Sequence, residues 1–161
     1  AVLKKTTLGV PAALAPRALA LGMKMEFVSP EVGQASAIKM FRSIMIKGLE
    51  ALVLESMVAA AEYGVQERVL ASLKETFPSL DWEKLSGYMI ERVVSHGKRR
   101  ASEMREVAET LNGIGLEPIM ASATAARQQW LADLRVKERL AGRKTEDRAE
   151  LVGAIRKAMG K

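Results

Sequence analysis

Cysteine is absent from this sequence, and histidine occurs once, as His96. Without thiols there is no disulfide framework and no thiolate metal site. One imidazole excludes any site that needs two. Aromatic residues make up only 4% and prolines number five, with few β-branched runs, which argues against a sandwich or barrel. No apolar run approaches the ~18 residues that span a bilayer, and the opening residues, with Lys4 and Lys5 but no apolar core, do not read as a signal peptide. A cytoplasmic chain that does not engage a membrane is expected. The first residue is not Met, so a processed or truncated piece of a longer protein is expected as well.

What is present favours helix. Ala, Leu, Met, Glu, Lys and Arg dominate, the residues that lose least on entering a helix. The length of 161 residues and the hydrophobic content of 48% suffice for a packed core without metals or disulfides. Net charge is +6, but it is uneven: residues 131–161 hold nine of the 25 Lys and Arg against five of the 19 Asp and Glu. The body is close to balanced and the basic character belongs to the end of the chain, which weighs against a nucleic-acid binder.

Punctuation along the chain divides it into elements. Pro11 to Leu21 reads as a short helix closed by Gly22, and Lys24 to Val28 alternates as one strand, broken at Ser29-Pro30. Helix, strand and break look like the end of an α/β unit. Ser29 is a plausible N-cap for a long helix from Glu31 to about Tyr63. Ile38, Phe41, Met45, Leu49 and Leu52 make that helix apolar around most of its circumference, so neighbours or a second subunit are expected to cover it. Gly64 ends it. Val65 to Thr76 follows, stopped at Phe77-Pro78. Ser79 or Asp81 caps a helix from Trp82 to about Ser95, and His96-Gly97 bends it or separates it from Lys98 to Leu111. After the loop Asn112-Gly113-Ile114-Gly115, Pro118 opens a helix that runs through Trp130 to about Leu140. A basic amphipathic stretch, Glu146 to Met159, closes the chain. The expected organisation is an α/β remnant over 1–30, a helical domain over 31–140 and a basic helical tail over 141–161.

Familiar chemistry is largely missing. There is no phosphate-binding loop, no metal-binding helix motif and no serine elbow. Gly113 and Gly115 lack the third glycine and the preceding strand of a dinucleotide fingerprint. The informative feature is a narrow polar stripe on the long helix: Ser36, Lys39, Ser43, Lys47 and Glu50 fall within about 80° at ~100° per residue, with Arg42 at the edge. On a covered helix Lys39 would be partly desolvated and suited to exchanging protons. On an uncovered one the stripe is a solvated face.

The run Gly33-Gln34-Ala35-Ser36-Ala37-Ile38-Lys39-Met40-Phe41-Arg42, followed by Lys47-Gly48-Leu49-Glu50, resembles the G-x-G-x-x-x-K-x-x-N motif of the β-hydroxyacid dehydrogenase and 6-phosphogluconate dehydrogenase-like superfamily. The nearest likeness is to a branch labelled a domain of unknown function, which carries a G-x-A-S-x-x-K-M pattern. His96-Gly97-Lys98-Arg99-Arg100-Ala101-Ser102-Glu103-Met104 and Gly115-Leu116-Glu117-Pro118 are also similar to that branch. The resemblance implies an all-α C-terminal domain, preceded by the last helix and strand of a Rossmann-like unit. It implies the substrate-binding and dimerising half of an NAD(P)-dependent oxidoreductase, not active alone. NAD or NADP would serve the complete enzyme, and none is expected bound to this chain. Lys39 takes the place of the general acid/base, and Gly33 and Ala35 the small positions beside substrate, with Ser36 and Ser43 nearby. Ala35 replaces the motif's second glycine, Arg42 its asparagine and Ser102 the lysine of a K-D-L segment, which opens the substrate class toward anions.

His96, Arg99, Arg100 and Glu103 share a helical face and could bind an anionic small molecule or bridge subunits. The bland reading is an outer face with an Arg100–Glu103 pair. Trp82, Tyr88 and Trp130 are expected as core or interface anchors. The rival to the enzyme reading is a non-enzymatic helical module that dimerises or binds a partner.

Overall fold

The structure is a computed structural model that describes residues 6–7, 12–22, 25–26, 28, 29, 31 and 33–161. The positions expected to open the first helix and the strand, Pro11 and Lys24, and the Pro30 break lie outside the described residues. The chain falls into two compact units, 1–43 and 44–161.

In the first unit, β1 (Thr6–Thr7) pairs in parallel with β2 (Met25–Glu26), with Thr6 opposite Met25. Parallel neighbours need a crossover, supplied by a 3-10 turn at Ala12–Leu14 and α1 (Ala15–Ala20). The expected helix and strand are therefore present in shortened form, and β1 is an addition. Helix α2 (Gln34–Glu62) starts three residues later than expected. The Ser29 hydroxyl accepts from Glu31 N–H at 3.1 Å, forming a turn, and Gly33 has φ +98, which no right-handed helix accommodates.

In the second unit the remainder of α2 is joined by α3 (Gln66–Thr76), α4 (Trp82–Gly113), α5 (Ile119–Asp133), α6 (Val136–Arg139) and α7 (Arg148–Ala158). Gly64, at φ +66, closes α2 with the paired bonds Val65 N to Ala60 O and Gly64 N to Ala61 O. The Asp81 carboxylate caps α4 on Lys84 N–H at 3.1 Å, and Asp147 caps α7 on Glu150 N–H at 2.9 Å. Leu54, Met57, Ile90, Val93, Leu131, Leu151 and Ile155 form the core, with Trp82 and Trp130 packed at its edge.

Two features differ from the sequence expectation. First, α4 runs through His96-Gly97 without a break. A Cβ at position 97 would lie 2.8 Å from the Gln128 carbonyl oxygen. The glycine lets α5 approach α4 closely, and bends nothing. Second, α5 stops at Asp133, because Arg135 adopts the left-handed conformation (φ 52, ψ 38). This costs a non-glycine residue roughly 1–2 kcal/mol, offset by turning Val136 into the core, where it is buried. Residues 141–161, the expected basic helical tail, pack on the same core. Leu151, Val152 and Ile155 place one face of α7 in the core, and Arg156 and Lys161 bond Glu62 of α2. The Arg148 side chain is buried between Glu67 and Glu83, at 2.5 and 2.9 Å.

Among the described residues no helix is long and apolar enough to cross a membrane.

Candidate functional site

The polar stripe of α2 divides along the helix. At its start Gly33, Ser36, Lys39 and Arg42 are exposed, Ala35 is buried and Ser43 is half-buried. The Ser43 hydroxyl donates to the Lys39 carbonyl at 2.9 Å. Neighbouring apolar side chains are uncovered too: Ile38 is 52% exposed and Phe41 40%. Among the described residues nothing buries Lys39. What the start of α2 offers is a cationic, hydroxyl-bearing surface beside uncovered apolar groups.

Further along, the same stripe is buried and paired. The Lys47 ammonium lies 2.7 Å from Glu103, and Glu50, 2% exposed, is paired with Arg100, 5% exposed. Gln128, on α5, donates weakly to the Lys47 carbonyl at 3.4 Å and to Glu50 at 3.5 Å. Burial pushes the Glu50 carboxyl up, and Arg100, Gln128 and Arg92 pull it part of the way back. Burial would also raise Glu103, but Lys47 and Arg99 together hold it below the usual carboxylate range. Arg100 therefore points inward to Glu50, and the expected Arg100–Glu103 pair is replaced by Arg99–Glu103. The helical face is as expected; its partner on α2 decides which arginine turns in. An arginine committed to a buried carboxylate is a structural ion, not a free anion ligand.

His96 lines a cleft of about 980 Å3 between the middle of α4 and the elbow of α5 and α6. Burial lowers its basicity, reinforced by Arg92, Arg99 and Arg100 and opposed by Glu91. Lys98, Arg135 and Lys137 line the same cleft. The sequence gives no sign of their proximity, because the elbow that brings Arg135 and Lys137 to α4 has no glycine or proline to mark it. Among the described residues no cluster of His, Asp and Glu could hold a metal.

A helical domain built on one long, partly uncovered helix, with a short parallel β-α-β element ahead of it, defines a class. The chain has the fold of the helical C-terminal domain of 3-hydroxyacid dehydrogenase-like proteins. Residues 60–131 match the model of a family described as a domain of unknown function, DUF1932. The chain is 33% identical over 106 residues to an uncharacterized 28.5 kDa protein of Methanothermus fervidus, covering 64% of this chain and 41% of that one. It superposes on a conserved hypothetical protein from Sinorhizobium meliloti with a TM-score of 0.80 and 37% identity, over 94% of this chain and 50% of the other. A conserved protein of unknown function, MTH1747, whose structure is described as similar to 3-hydroxyacid dehydrogenases, matches at a TM-score of 0.66 and 32% identity, over 78% and 48%. The chain thus spans half or less of the length of the relatives it matches.

Proposed function

We propose that this chain is the substrate-side, dimerising half of an NAD(P)-dependent oxidoreductase acting on a hydroxy acid or similar small molecule, with Lys39 as its general acid/base. Oxidation of such a substrate removes a hydride from carbon and a proton from the hydroxyl oxygen. The proton is the part that residues of this chain can serve. The observation that carries the reading is Lys39 on the second turn of α2, exposed beside Ser36 and Arg42, in the fold of a 3-hydroxyacid dehydrogenase helical domain. Arg42 would bind a substrate carboxylate or phosphate by its planar fork. Gly33 and Ala35 leave room next to it.

The nicotinamide cofactor is a different matter. Gly113 and Gly115 close a helix rather than follow a strand, and Ile119 opens α5 after Pro118. The described residues do not form the strand, glycine turn and helix that hold a pyrophosphate.

Lys39→Met in the full-length protein should lower turnover of hydroxy acids with NAD or NADP by roughly 10²–10⁴-fold with folding intact. Full turnover in that variant would end the assignment.

A second reading, a helical module that only dimerises, has its own support. Met45 is 63% exposed and Leu52 56%, and this row continues into an apolar groove of about 360 Å3 lined by Leu49, Leu73, Phe77 and Trp82. Such a face is normally covered. Both readings expect a dimer, and sedimentation showing a stable monomer at micromolar concentration would remove the dimer from each.

A further inference from the structure

The cleft between α4 and the α5–α6 elbow has properties that the proton-transfer reading does not use. Its lining carries Lys98, Arg99, Arg135 and Lys137 against two acids, Asp133 and Glu138. The acids are partly spent: Asp133 accepts from the Gln129 amide at 2.8 Å. Of the cations, Arg99 is shared with Glu103. Among the described residues no ion pair engages Lys98, Arg135 or Lys137, so the cleft keeps an excess of positive charge over its two acids. Its lining includes Leu131 and Val136, both buried, which set apolar side chains beside the charged ones.

Two further observations point the same way. Arg135 holds the left-handed backbone that glycine would adopt without strain, at the elbow that brings it into the lining of the cleft. His96, on the α4 wall, is held below its ordinary basicity by burial, then by Arg92, Arg99 and Arg100, with only Glu91 opposing. The imidazole thus senses a positive local field.

The geometry points to a binding site for a small, multiply charged oxyanion, a phosphate monoester or pyrophosphate group, in the cleft formed by His96, Lys98, Arg135 and Lys137. The concave shape suits a compact group. An extended nucleic-acid backbone would meet Asp133 and Glu138, which interrupt the basic residues. Bound there, the anion accepts from the three cations, and it favours the protonated imidazole of His96.

The test exploits the fact that His96 is the only histidine in the chain. Its ring protons give one proton NMR titration curve, with no assignment problem. Inorganic pyrophosphate should move the His96 titration midpoint upward, saturably. In a Lys98→Gln, Arg135→Gln double variant with an unchanged circular dichroism spectrum, the apparent affinity should fall roughly tenfold or more. Three results would overturn the site: an unmoved midpoint, the same movement with sodium chloride at equal ionic strength, or undiminished affinity in the double variant. A short single-stranded RNA that moves His96 where pyrophosphate does not would replace the site with an extended polyanion surface. The measurement uses neither cofactor nor turnover, so its failure leaves the Lys39 assignment untouched.

Discussion

Lys39 and Lys47 stand on one helix and on one polar stripe, yet the structure gives them opposite surroundings. Lys39 is exposed, with Ser36 and Arg42 exposed beside it. Lys47 is buried against Glu103, with the Glu50–Arg100 pair one turn further along and Gln128 beside both. The same residue type, at opposite edges of the stripe and about 80° apart, is exposed at one end and an internal tie at the other. What separates them is the packing of α4 and α5 against the second part of α2. A candidate catalytic lysine in such a fold is judged by what packs on it as well as by its place on the stripe.

The largest expected effect that sharpens this contrast is at the buried end. Arg100→Met should destabilise the chain by about 3–5 kcal/mol in urea denaturation, because it leaves Glu50 buried without its cation. The sign of its pH dependence follows from Glu50. Its carboxyl is already raised in the folded state and would rise further without Arg100. The folded variant then binds more protons than the unfolded chain above the ordinary carboxylate range, so its stability falls as pH rises. The deficit should be smaller near pH 5 than near pH 8. A loss under about 1 kcal/mol would mean that the pair contributes little to holding α4 on α2.

An intermediate effect is expected from comparing the two lysines directly. Lys47→Met should cost about 1–3 kcal/mol, since it removes a charged bond to Glu103 that Arg99 only partly replaces. This contribution is present above the ordinary carboxylate range and is lost as pH falls through the lowered folded value of Glu103. Lys39→Met should stay within about 0.5 kcal/mol of the parent. Equal losses at both positions would break the comparison. Lys47 is also, for this reason, a poor activity control for Lys39, since its loss damages the fold.

The smallest effect concerns His96. Its folded-state basicity is lowered, so the unfolded chain binds more protons below about pH 6.5, and stability falls as pH drops through that region. His96→Gln should abolish this acid-side loss. The thermal midpoints of parent and variant should converge at pH 7.5 and separate at pH 5.5, by an amount corresponding to about 0.5 kcal/mol or less. An unchanged separation across that range would mean that the imidazole is not desolvated in the folded chain.

Local signals accounted for much of the fold. Gly64, Pro78 and Asp81 mark the ends of α2 and α3 and the start of α4 through residue chemistry that acts within a few positions. The continuity of α4 was not legible, because Gly97 serves the approach of α5, a contact more than thirty residues away along the chain. The stop of α5 was hidden for a similar reason: nothing near Arg135 marks a turn, and the burial of Val136 pulls the backbone over. At the candidate site the stripe and Lys39 could be read from periodicity and motif. Which arginine of the Arg99-Arg100 pair turns inward depends on where Glu50 lies, and helical spacing holds no such information. The cleft around His96 requires the elbow, and so was invisible beyond one wall.

The glycines of α4 have a last consequence, for how the chain tolerates change. At Gly97 an added methyl would press on the Gln128 carbonyl, whereas at Gly113 it would meet nothing within 4 Å. Both sit inside one helix, and both look alike to a scale of helix preference. A library randomised at the two positions together would return nearly one letter at 97 and a broad alphabet, led by alanine, at 113. Survivor statistics of that kind would record the spacing of two helices without any coordinates at all.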